Sequence, residues 1–332
     1  MALSTLCLLL FLSLTDVING ADNCSGSNTV SVDVNMLRGF TQEEYQKSMI
    51  DYWTPERIAS ARPMQPTIIK KGNIPFVKNH DNNEIERILT PSTILPDARV
   101  STSPCVGRAF FTYGNLTYWC SGSVINASNM DTVLTAGHCV FNTTSKEWAK
   151  NFIFIPAYNN NSRPYGTFTA RKLVTTLQWM SNANFSHDMA FAIMSPDGNG
   201  THIQQKAGCG LGLLLNCPVN ANTNVFGYGE GITNGESIST CANKTQTPSI
   251  LLFGLINIFP AFFPNYDGSQ ITCDLEGGSS GGPWFQQYNA NTMSGLIMGV
   301  MSFDTELDET KRYAACFRQG NMGQFYANCQ SA

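Results

Sequence analysis

Short apolar runs separated by Gly, Asn, Pro and Ser fill the chain from about residue 97 onwards, and they constrain its fold more than any other feature. The runs cover residues 109–113, 121–125, 132–135, 152–155, 189–194, 225–228 and 296–302. Runs of this length between turn-forming residues are typical of strands in antiparallel barrels and sandwiches. Only residues 322–327, near the end, suit a short helix. The pattern predicts an all-β domain with a short C-terminal helix.

The first twenty residues have the composition of a secretory signal peptide. Residues 6–14 are almost wholly apolar, too few to cross a bilayer, and the small residues Gly20 and Ala21 come after them. A buried N-terminal helix is the alternative, since no Lys or Arg precedes the run. Removing residues 1–20 would remove Cys7 and leave ten of the 11 cysteines, an even number that suits five disulfides in an oxidising compartment.

Eight Asn-x-Ser/Thr sequons are spread along the chain, beginning at Asn23, Asn115, Asn126, Asn142, Asn160, Asn184, Asn199 and Asn243. One sequon arises readily by chance, whereas eight indicate a glycosylated surface made in a eukaryotic secretory pathway. Together with the signal, they predict a secreted, extracellular glycoprotein.

The composition excludes several classes of partner. The net charge is −4 and no basic run exceeds Lys70-Lys71, so nucleic acid and anionic membranes are not expected to bind. The apolar residues 250–263 are interrupted by Pro260 and fall short of the roughly 20 residues that span a membrane. Core strands or a pocket wall are favoured there over a membrane-contacting loop. Without Cys-x-x-Cys or His-x-x-x-His spacing, no metal or other cofactor is expected.

Residues 21–98 differ in composition from the β-rich remainder of the chain. Thr54-Pro55-Glu56-Arg57 has the cap, proline and acidic residue that begin a helix. Residues 62–83 are rich in Pro, Lys and Asn, and Pro91 and Pro96 lie beyond them. This composition predicts a pro-segment and linker over residues 21–98, with a permanently attached extension as the alternative.

The glycine-rich turn Gly278-Ser279-Ser280-Gly281-Gly282-Pro283 offers a serine nucleophile, which needs a base and an orienting group. Of the four histidines, His138 ends an apolar strand in Thr135-Ala136-Gly137-His138-Cys139. The other three, His80, His187 and His202, lie in polar or sequon-rich stretches and are predicted to be solvent-exposed. Asp188 directly precedes a buried strand and could orient the His138 imidazole, although a lone aspartate there is ordinarily a turn residue.

These motifs resemble the chymotrypsin-like serine peptidases, in that family's order of His, Asp and Ser. The segment Cys120-Ser121-Gly122-Ser123-Val124-Ile125 strengthens the resemblance, which covers roughly residues 97–305. Asp97-x-Arg99-Val100, Phe226-Gly227-Tyr228, Cys273-Asp274 before the turn, and Tyr52-Trp53-Thr54-Pro55-Glu56-Arg57 are similar to the glutamyl-endopeptidase-like and secreted bacterial trypsin-like branch. The resemblance implies two antiparallel six-stranded β-barrels, with the peptidase domain over residues 99–332.

The resemblance also implies residue roles. Ser280 is the nucleophile, His138 the general base and then acid, and Asp188 the orienting carboxylate. The backbone N–H groups of Gly278 and Ser280 would form the oxyanion hole. The family's register further places Ser302, Phe303 and Asp304 along the substrate, with Ser302 supporting Asp188.

The residues expected to form the specificity pocket do not all indicate the same P1 preference. Asp274, six residues before Ser280, stands where trypsins bind a basic side chain, and this predicts a preference for Arg or Lys at P1. Met301 replaces the histidine of glutamate-specific members, which argues against an acidic preference. Asp304 replaces a glycine near the pocket entrance.

The resemblance departs from the pancreatic pattern at Ser279. Pancreatic-type members have there an aspartate that pairs with the new N-terminus after zymogen cleavage, and a hydroxyl cannot form that ion pair. Cleavage after Lys71 or Arg99 is the candidate activation step.

The disulfide expectations have different origins. Cys120–Cys139 is implied by the resemblance, and Cys241–Cys273 is a further candidate. Cys209–Cys217 and Cys316–Cys329 are expected from proximity in sequence. That leaves Cys24 with Cys105, a bond that would tether the leader (residues 21–98) to the peptidase domain.

The leading hypothesis is a secreted serine endopeptidase that hydrolyses protein or peptide substrates through an acyl-enzyme, without stable membrane insertion. The alternative is a catalytically inactive glycoprotein of the same fold that acts as a binding module. An α/β-hydrolase-type esterase is opposed by the order of the three residues.

Overall fold

The computed structural model describes Cys24, Gly26, residues 28–34, 41–64, Pro66, 103–252, 256–257, 259–305 and 308–332. Several predictions lie outside these residues: the signal peptide, the Asn23 sequon, His80, and the candidate cleavage sites at Lys71 and Arg99.

The described chain is built mainly from strands. In order, they are β1 (Thr29–Asp33), β2 (Arg62–Pro63), β3 (Val106–Tyr113), β4 (Leu116–Val124), β5 (Thr132–Thr135), β6 (Phe141–Asn142), β7 (Glu147–Trp148), β8 (Lys150–Pro156), β9 (Phe168–Thr176), β10 (Ala190–Met194), β11 (Gly212–Leu213), β12 (Asn222–Gly227), β13 (Ser239–Lys244), β14 (Leu251–Leu252), β15 (Ile256–Asn257), β16 (Ser269–Thr272), β17 (Pro283–Asn289), β18 (Ser294–Phe303) and β19 (Lys311–Cys316).

The helices are short. They are α1 (Gln42–Tyr52), α2 (Pro55–Ala59), α3 (Leu177–Asn182), α4 (Ile203–Ala207), α5 (Glu230–Thr233), α6 (Phe259–Phe262) and α7 (Gln324–Cys329). The remaining helical elements of the described chain are two 3₁₀ turns, Gly137–Cys139 after β5 and Phe185–His187 before β10, and a π-helical turn, Gln319–Gly323, before α7.

The strands form two antiparallel barrels of six strands each. In the first, the order β9-β10-β5-β4-β3-β8 is closed by pairing of β8 with β9. In the second, the order is β13-β12-β17-β18-β19-β16, and an isolated bridge between Gln246 and Gln270 joins its ends. The predicted all-β, two-barrel fold is confirmed, as is the short C-terminal helix.

Each barrel has its own apolar interior. Phe152 and Phe154 are fully buried in the first barrel, and Val225 and its cross-strand partner Trp284 in the second. Phe152, Phe154 and Val225 fall in the apolar runs that predict strands, and alternate residues of a strand point into the barrel.

The N-terminal segment packs against the first barrel. Strand β1 extends the sheet by pairing antiparallel with β9. Tyr45, Met49 and Trp53 of the α1 region are at most 1% exposed, and the Trp53 indole N–H donates to the Asn151 carbonyl at 2.7 Å. Residues with the composition of a leader therefore belong to the main hydrophobic core, while their removal from a mature protein stays a prediction.

Five disulfides join all ten cysteines from Cys24 onwards. Two coincide with expected pairs, Cys120–Cys139 and Cys241–Cys273. The pairings Cys209–Cys217, Cys316–Cys329 and Cys24–Cys105 were wrong, and the bonds are Cys24–Cys329, Cys105–Cys209 and Cys217–Cys316. These three bonds span 99 to 305 residues, because a barrel brings distant segments together and nearness in sequence is a poor guide.

The described residues of the apolar stretch 250–263 lie beside the second barrel. Strands β14 and β15 pair as a small hairpin, and Phe259 of α6 is buried against Tyr313 with 5.2 Å between ring centroids. The packing agrees with the expected wall. Among the residues the structure describes, no helix has the length and apolar character needed to cross a membrane.

Candidate active site

A buried imidazole and carboxylate lie at the ends of two adjacent strands. Strands β5 and β10 pair antiparallel with Thr135 opposite Ala190, so the turn after β5 meets the turn before β10. His138 Nδ1 lies 2.8 Å from Asp188 Oδ2, and the His138 backbone N–H donates to Asp188 Oδ1 at 2.8 Å. Gly137 permits this approach, since a Cβ there would lie 2.9 Å from Asp188 Oδ1.

Ser302 completes the set of donors around this carboxylate. Its hydroxyl, on β18 of the second barrel, donates to Asp188 Oδ2 at 2.5 Å, and both residues are 0% exposed. A carboxylate held by three donors fixes the imidazole with its proton on Nδ1, which leaves the Nε2 lone pair available as a base.

The glycine-rich turn brings Ser280 against the first barrel. The Ser121 N–H donates to the Ser280 carbonyl at 2.8 Å, and the Gly281 N–H donates to the Met301 carbonyl at 2.8 Å. A Cβ at Gly281 would overlap Thr135, three residues before His138. Ser280 is thus held next to the end of β5.

The reactive atoms make no hydrogen bonds within the described part of the chain. Ser280 Oγ and His138 Nε2 are both buried, and neither has a partner among those residues. Catalytic hydrogen bonds are often long in proteins without substrate and tighten in the complex. Neither atom is therefore held by a competing partner among the described residues.

Backbone conformation explains why this turn is rich in glycine. Gly278 has φ +88° and Gly281 has φ +78°, values that favour residues without a Cβ. A side chain at Gly278 would also overlap the Trp119 indole. Ser279 turns away from the site, since its hydroxyl donates to the Glu276 carbonyl at 2.6 Å. This geometry favours Ser280 over Ser279 as the nucleophile.

The two expected oxyanion-hole donors differ in their partners. The Gly278 N–H donates to the carbonyl of Met64, in the N-terminal segment, at 3.1 Å. The Ser280 N–H donates to no acceptor among the described residues. Ser121, which sequence reasoning did not single out, supports the turn, because its hydroxyl donates to the Gly278 carbonyl at 2.9 Å and accepts from the Tyr228 N–H at 2.8 Å.

A cavity of about 370 Å³ adjoins the turn. It is lined by Pro63, Glu230, Glu276, Gly277, Asp304, Glu309 and Arg312. Of the expected specificity residues only Asp304 lines it, whereas Asp274 is half-buried and outside the lining.

Arg312 is the unexpected member of this cavity. It is 3% exposed, and its guanidinium donates to the carbonyls of Leu275 and Glu309. Burial lowers the pKa of Arg312, and the carboxylates of Asp304, Glu276 and Asp274, in that order, oppose the shift. No local motif marks Arg312, since its place depends on the pairing of β19 with β16, where Arg312 lies opposite Ile271.

Phe303 lies within an aromatic cluster rather than at an open surface. It is 0% exposed and stacks on Tyr313 with 4.7 Å between centroids. Phe185 and Phe263 contact it at 4.8 and 5.1 Å. Phe303 therefore packs within this aromatic cluster and does not line the cavity.

The exposure expected of two other histidines was wrong. His202 is half-buried, and its Nδ1 lies 2.7 Å from Asp131 Oδ2. His187 is also half-buried, its Nδ1 has no partner among the described residues, and burial lowers its pKa. Both loops pack against the barrel more closely than their polar sequence indicates.

One group of side chains has the spacing of a metal site. Ligand atoms of Cys120, His138 and Cys139 lie within 4.8 Å of one another. The two sulfurs are bonded to each other at 2.00 Å, so neither is a thiolate that could bind a metal.

Seven of the eight sequons lie on described residues. Asn115, Asn126, Asn160, Asn199 and Asn243 are exposed, and Asn142 and Asn184 are half-buried. The exposed asparagines have the accessibility that glycosylation requires.

The chain matches a known protein family. The sequence profile of the family described as Trypsin matches residues 96–319. An extracellular metalloprotease of Bacillus subtilis is 33% identical over 72 residues, 22% of this chain and 22% of that protein. A glutamyl endopeptidase of Bacillus licheniformis is 26% identical over 174 residues, 52% of this chain and 47% of that protein. The chain thus spans less than half the length of both curated relatives.

Solved structures extend the similarity. A thermostable serine protease, AL20, from an extremophilic microorganism is 29% identical with a TM-score of 0.59, covering 69% of this chain and 97% of that one. The protease Anisep from Arthrobacter nicotinovorans is 33% identical with a TM-score of 0.59, covering 69% and 96%. A Glu endopeptidase is 18% identical with a TM-score of 0.54, covering 71% and 95%, and shows a shared fold only.

Proposed function

The chain belongs to the trypsin family of serine proteases, and from that premise we propose that it is a secreted endopeptidase acting through Ser280, His138 and Asp188. The observation that carries the proposal is the buried chain of hydrogen bonds from Ser302 through Asp188 to His138. An inactive binding protein would have no need of a desolvated carboxylate aimed at an imidazole.

The proposed mechanism rests on these contacts. His138 Nε2 removes the proton of Ser280 Oγ as that oxygen attacks the peptide carbonyl, and Asp188 stabilises the imidazolium that forms. The N–H groups of Gly278 and Ser280 stabilise the oxyanion. His138 then protonates the leaving amine, and a water molecule hydrolyses the acyl-enzyme with His138 again acting as base.

For the finer specificity, we propose a preference for basic P1 side chains. Four carboxylates line the cavity beside the turn, from Glu230, Glu276, Asp304 and Glu309, against the single guanidinium of Arg312. Opposite charges favour Lys or Arg there. Asp274, the residue first expected to bind them, would instead act through its charge on Arg312.

An acidic preference is the rival, because Arg312 lies in the cavity and one relative is named a glutamyl endopeptidase. Profiling the protein on a peptide library decides between them. Cleavage after Lys and Arg that weakens in Asp304→Asn supports the proposal, whereas cleavage after Glu assigns the pocket to Arg312.

The second candidate function is a non-catalytic binding glycoprotein of this fold. A fluorophosphonate probe applied to the full-length protein distinguishes the two. We expect labelling of wild type and of Ser279→Ala, whose hydroxyl only closes the turn, and none of Ser280→Ala. Absence of labelling in all three would exclude the peptidase.

Secretion and glycosylation form a separate part of the proposal. Five disulfides suit an oxidising compartment, and five sequon asparagines are exposed. Expression in a eukaryotic secretory host should give medium-borne protein whose electrophoretic mobility changes on enzymatic deglycosylation. Intracellular, unmodified protein would contradict it.

A further inference from the structure

Arg62, Pro63, Met64 and Pro66 of the N-terminal segment lie across the candidate active site. Strand β2 pairs parallel with β4, with Arg62 opposite Tyr118 and Pro63 opposite Trp119. The Met64 N–H then donates to the Trp119 carbonyl at 3.0 Å. The segment thus binds the edge of the first barrel next to Cys120, which is bonded to the neighbour of His138.

The next contacts are with the second barrel. The Met64 carbonyl accepts from the Gly278 N–H at 3.1 Å, and the Pro66 carbonyl lies 3.5 Å from the Asp304 N–H. Pro63 also forms one wall of the acidic cavity. Met64 therefore contacts the expected oxyanion-hole donor Gly278, and Pro63 lines the cavity. Pro66 lies against Asp304, directly after the end of β18.

We propose that the segment holding Arg62, Pro63, Met64 and Pro66 is a built-in inhibitor of the full-length chain, which blocks the oxyanion hole by taking one of its two expected donors, the Gly278 N–H. The proposal rests on the proposed peptidase function, because it assigns the Gly278 N–H to the oxyanion. A substrate carbonyl and the Met64 carbonyl need the same donor, so only one can bind at a time.

The direction of the segment explains how it escapes cleavage. In a substrate, His138 must protonate the amine on the C-terminal side of the attacked carbonyl. Here the chain on the C-terminal side of Met64 leads to Asp304, while its N-terminal side runs along β4, which is disulfide-bonded beside His138. The leader runs opposite to a substrate and presents no leaving amine to the base.

The site beneath the leader is already formed. Ser279 closes the turn by donating both its N–H, at 3.1 Å, and its hydroxyl, at 2.6 Å, to the Glu276 carbonyl. No new N-terminus is needed to order Gly278, whose φ is already +88°. Activity is therefore controlled by departure of the leader from a preformed site.

The test weakens the leader without altering the barrels. Met64→Pro removes the N–H that donates to Trp119, and a proline is compatible with an extended residue before it. Met64→Leu keeps that N–H and is the matched control. A second variant replaces residues 62–66 with Gly and Ser and retains the Cys24–Cys329 bond.

The readout is the rate of fluorophosphonate labelling of each full-length protein. We expect labelling about tenfold faster in Met64→Pro than in wild type or Met64→Leu, since one backbone hydrogen bond is lost. The Gly–Ser variant should label at least as fast, and Ser280→Ala should not label. Equal rates in wild type and the Gly–Ser variant would overturn the inhibitor.

Amide exchange at Gly278 separates this proposal from the proposed function. By NMR, the Gly278 N–H should be protected in Met64→Leu and exchange faster in the Gly–Ser variant. If no form is labelled, the peptidase function fails and this measurement alone decides the contact, with equal exchange refuting it.

Discussion

Asp188 joins the two barrels through single hydrogen bonds. Its Oδ1 accepts from the His138 backbone and its Oδ2 from the His138 ring, both in the first barrel, while Ser302 donates from the second. A small displacement of one barrel relative to the other would break the Ser302 bond. The orientation of the His138 imidazole therefore depends on how the two barrels pack against each other.

Replacing Ser302 by Ala should lower the peptidase activity of the protein. A hydrogen bond to a charged group contributes about 1.5–3 kcal/mol, so kcat/KM should fall roughly 10- to 100-fold. Ser294→Ala, at the exposed start of the same strand, is the control and should leave peptide hydrolysis unchanged. Equal kcat/KM values for the two variants would show that Ser302 does not position Asp188.

His187 should make folding stability depend on pH. Burial lowers its pKa below the usual 6.5 and the charge of Asp267 opposes this only in part. Between the lowered value and 6.5 the unfolded chain binds more protons, so stability rises with pH through this window and is lost as the pH falls. Thermal unfolding between about pH 5 and 8 should show a shallower acid loss in His187→Gln than in wild type. Parallel Tm curves would contradict the expectation.

The motifs led to Ser280 and His138, the residues proposed to react, because short stretches of sequence specify the backbone around each of them. The glycines around Ser280 and the small residues before His138 are dictated by backbone conformations and close approaches within a few residues of each site. Arg312 and Met64 could not be found in that way. Each depends on pairing with a strand distant in sequence, β16 for Arg312 and β4 for the segment that holds Met64, and no local pattern specifies that partner.

Among the elements, helix α1 links the leader to the barrel. Its start is fixed by a capping box, in which the Thr41 hydroxyl accepts from the Glu44 N–H and the Glu44 carboxylate accepts from the Thr41 N–H at 2.9 Å. Trp53, at its end, packs on Phe110 with 5.6 Å between centroids. The start of α2 at Thr54–Pro55 was predicted from sequence, whereas the burial of α1 was not, because a leader-like composition conceals a few large buried side chains.

Truncating this anchor should destabilise the full-length protein. Trp53→Ala removes a side chain that is 1% exposed, and such losses cost about 3–5 kcal/mol. Ile50→Ala, on the same helix but 52% exposed, should change the free energy of unfolding by less than about 0.5 kcal/mol. Urea unfolding measures both values. Similar small changes would mean that α1 contributes little to the fold.

At the scale of the whole molecule, the barrels could be predicted and their cross-links could not. Short bounded runs encode strands locally, and the His–Asp–Ser order indicated their arrangement. The pairings of Cys105 with Cys209 and of Cys217 with Cys316 depend on which segments meet in space. Neighbouring cysteines along the chain were therefore a misleading guide.

The bond between Cys24 and Cys329 joins the leader to the C-terminal helix across 305 residues. A cut after Lys71 or Arg99 should therefore yield a two-chain protein. Electrophoresis should show one band without reductant and two with it. A leader fragment lost without reductant would contradict this.

A tethered fragment stays at a high local concentration near the candidate active site, so it can rebind after it has dissociated from that site. Proteolysis alone would then give an enzyme in equilibrium between open and self-blocked forms, independent of dilution. Reduction of that disulfide would remove the tether, so that rebinding of the fragment would then depend on dilution.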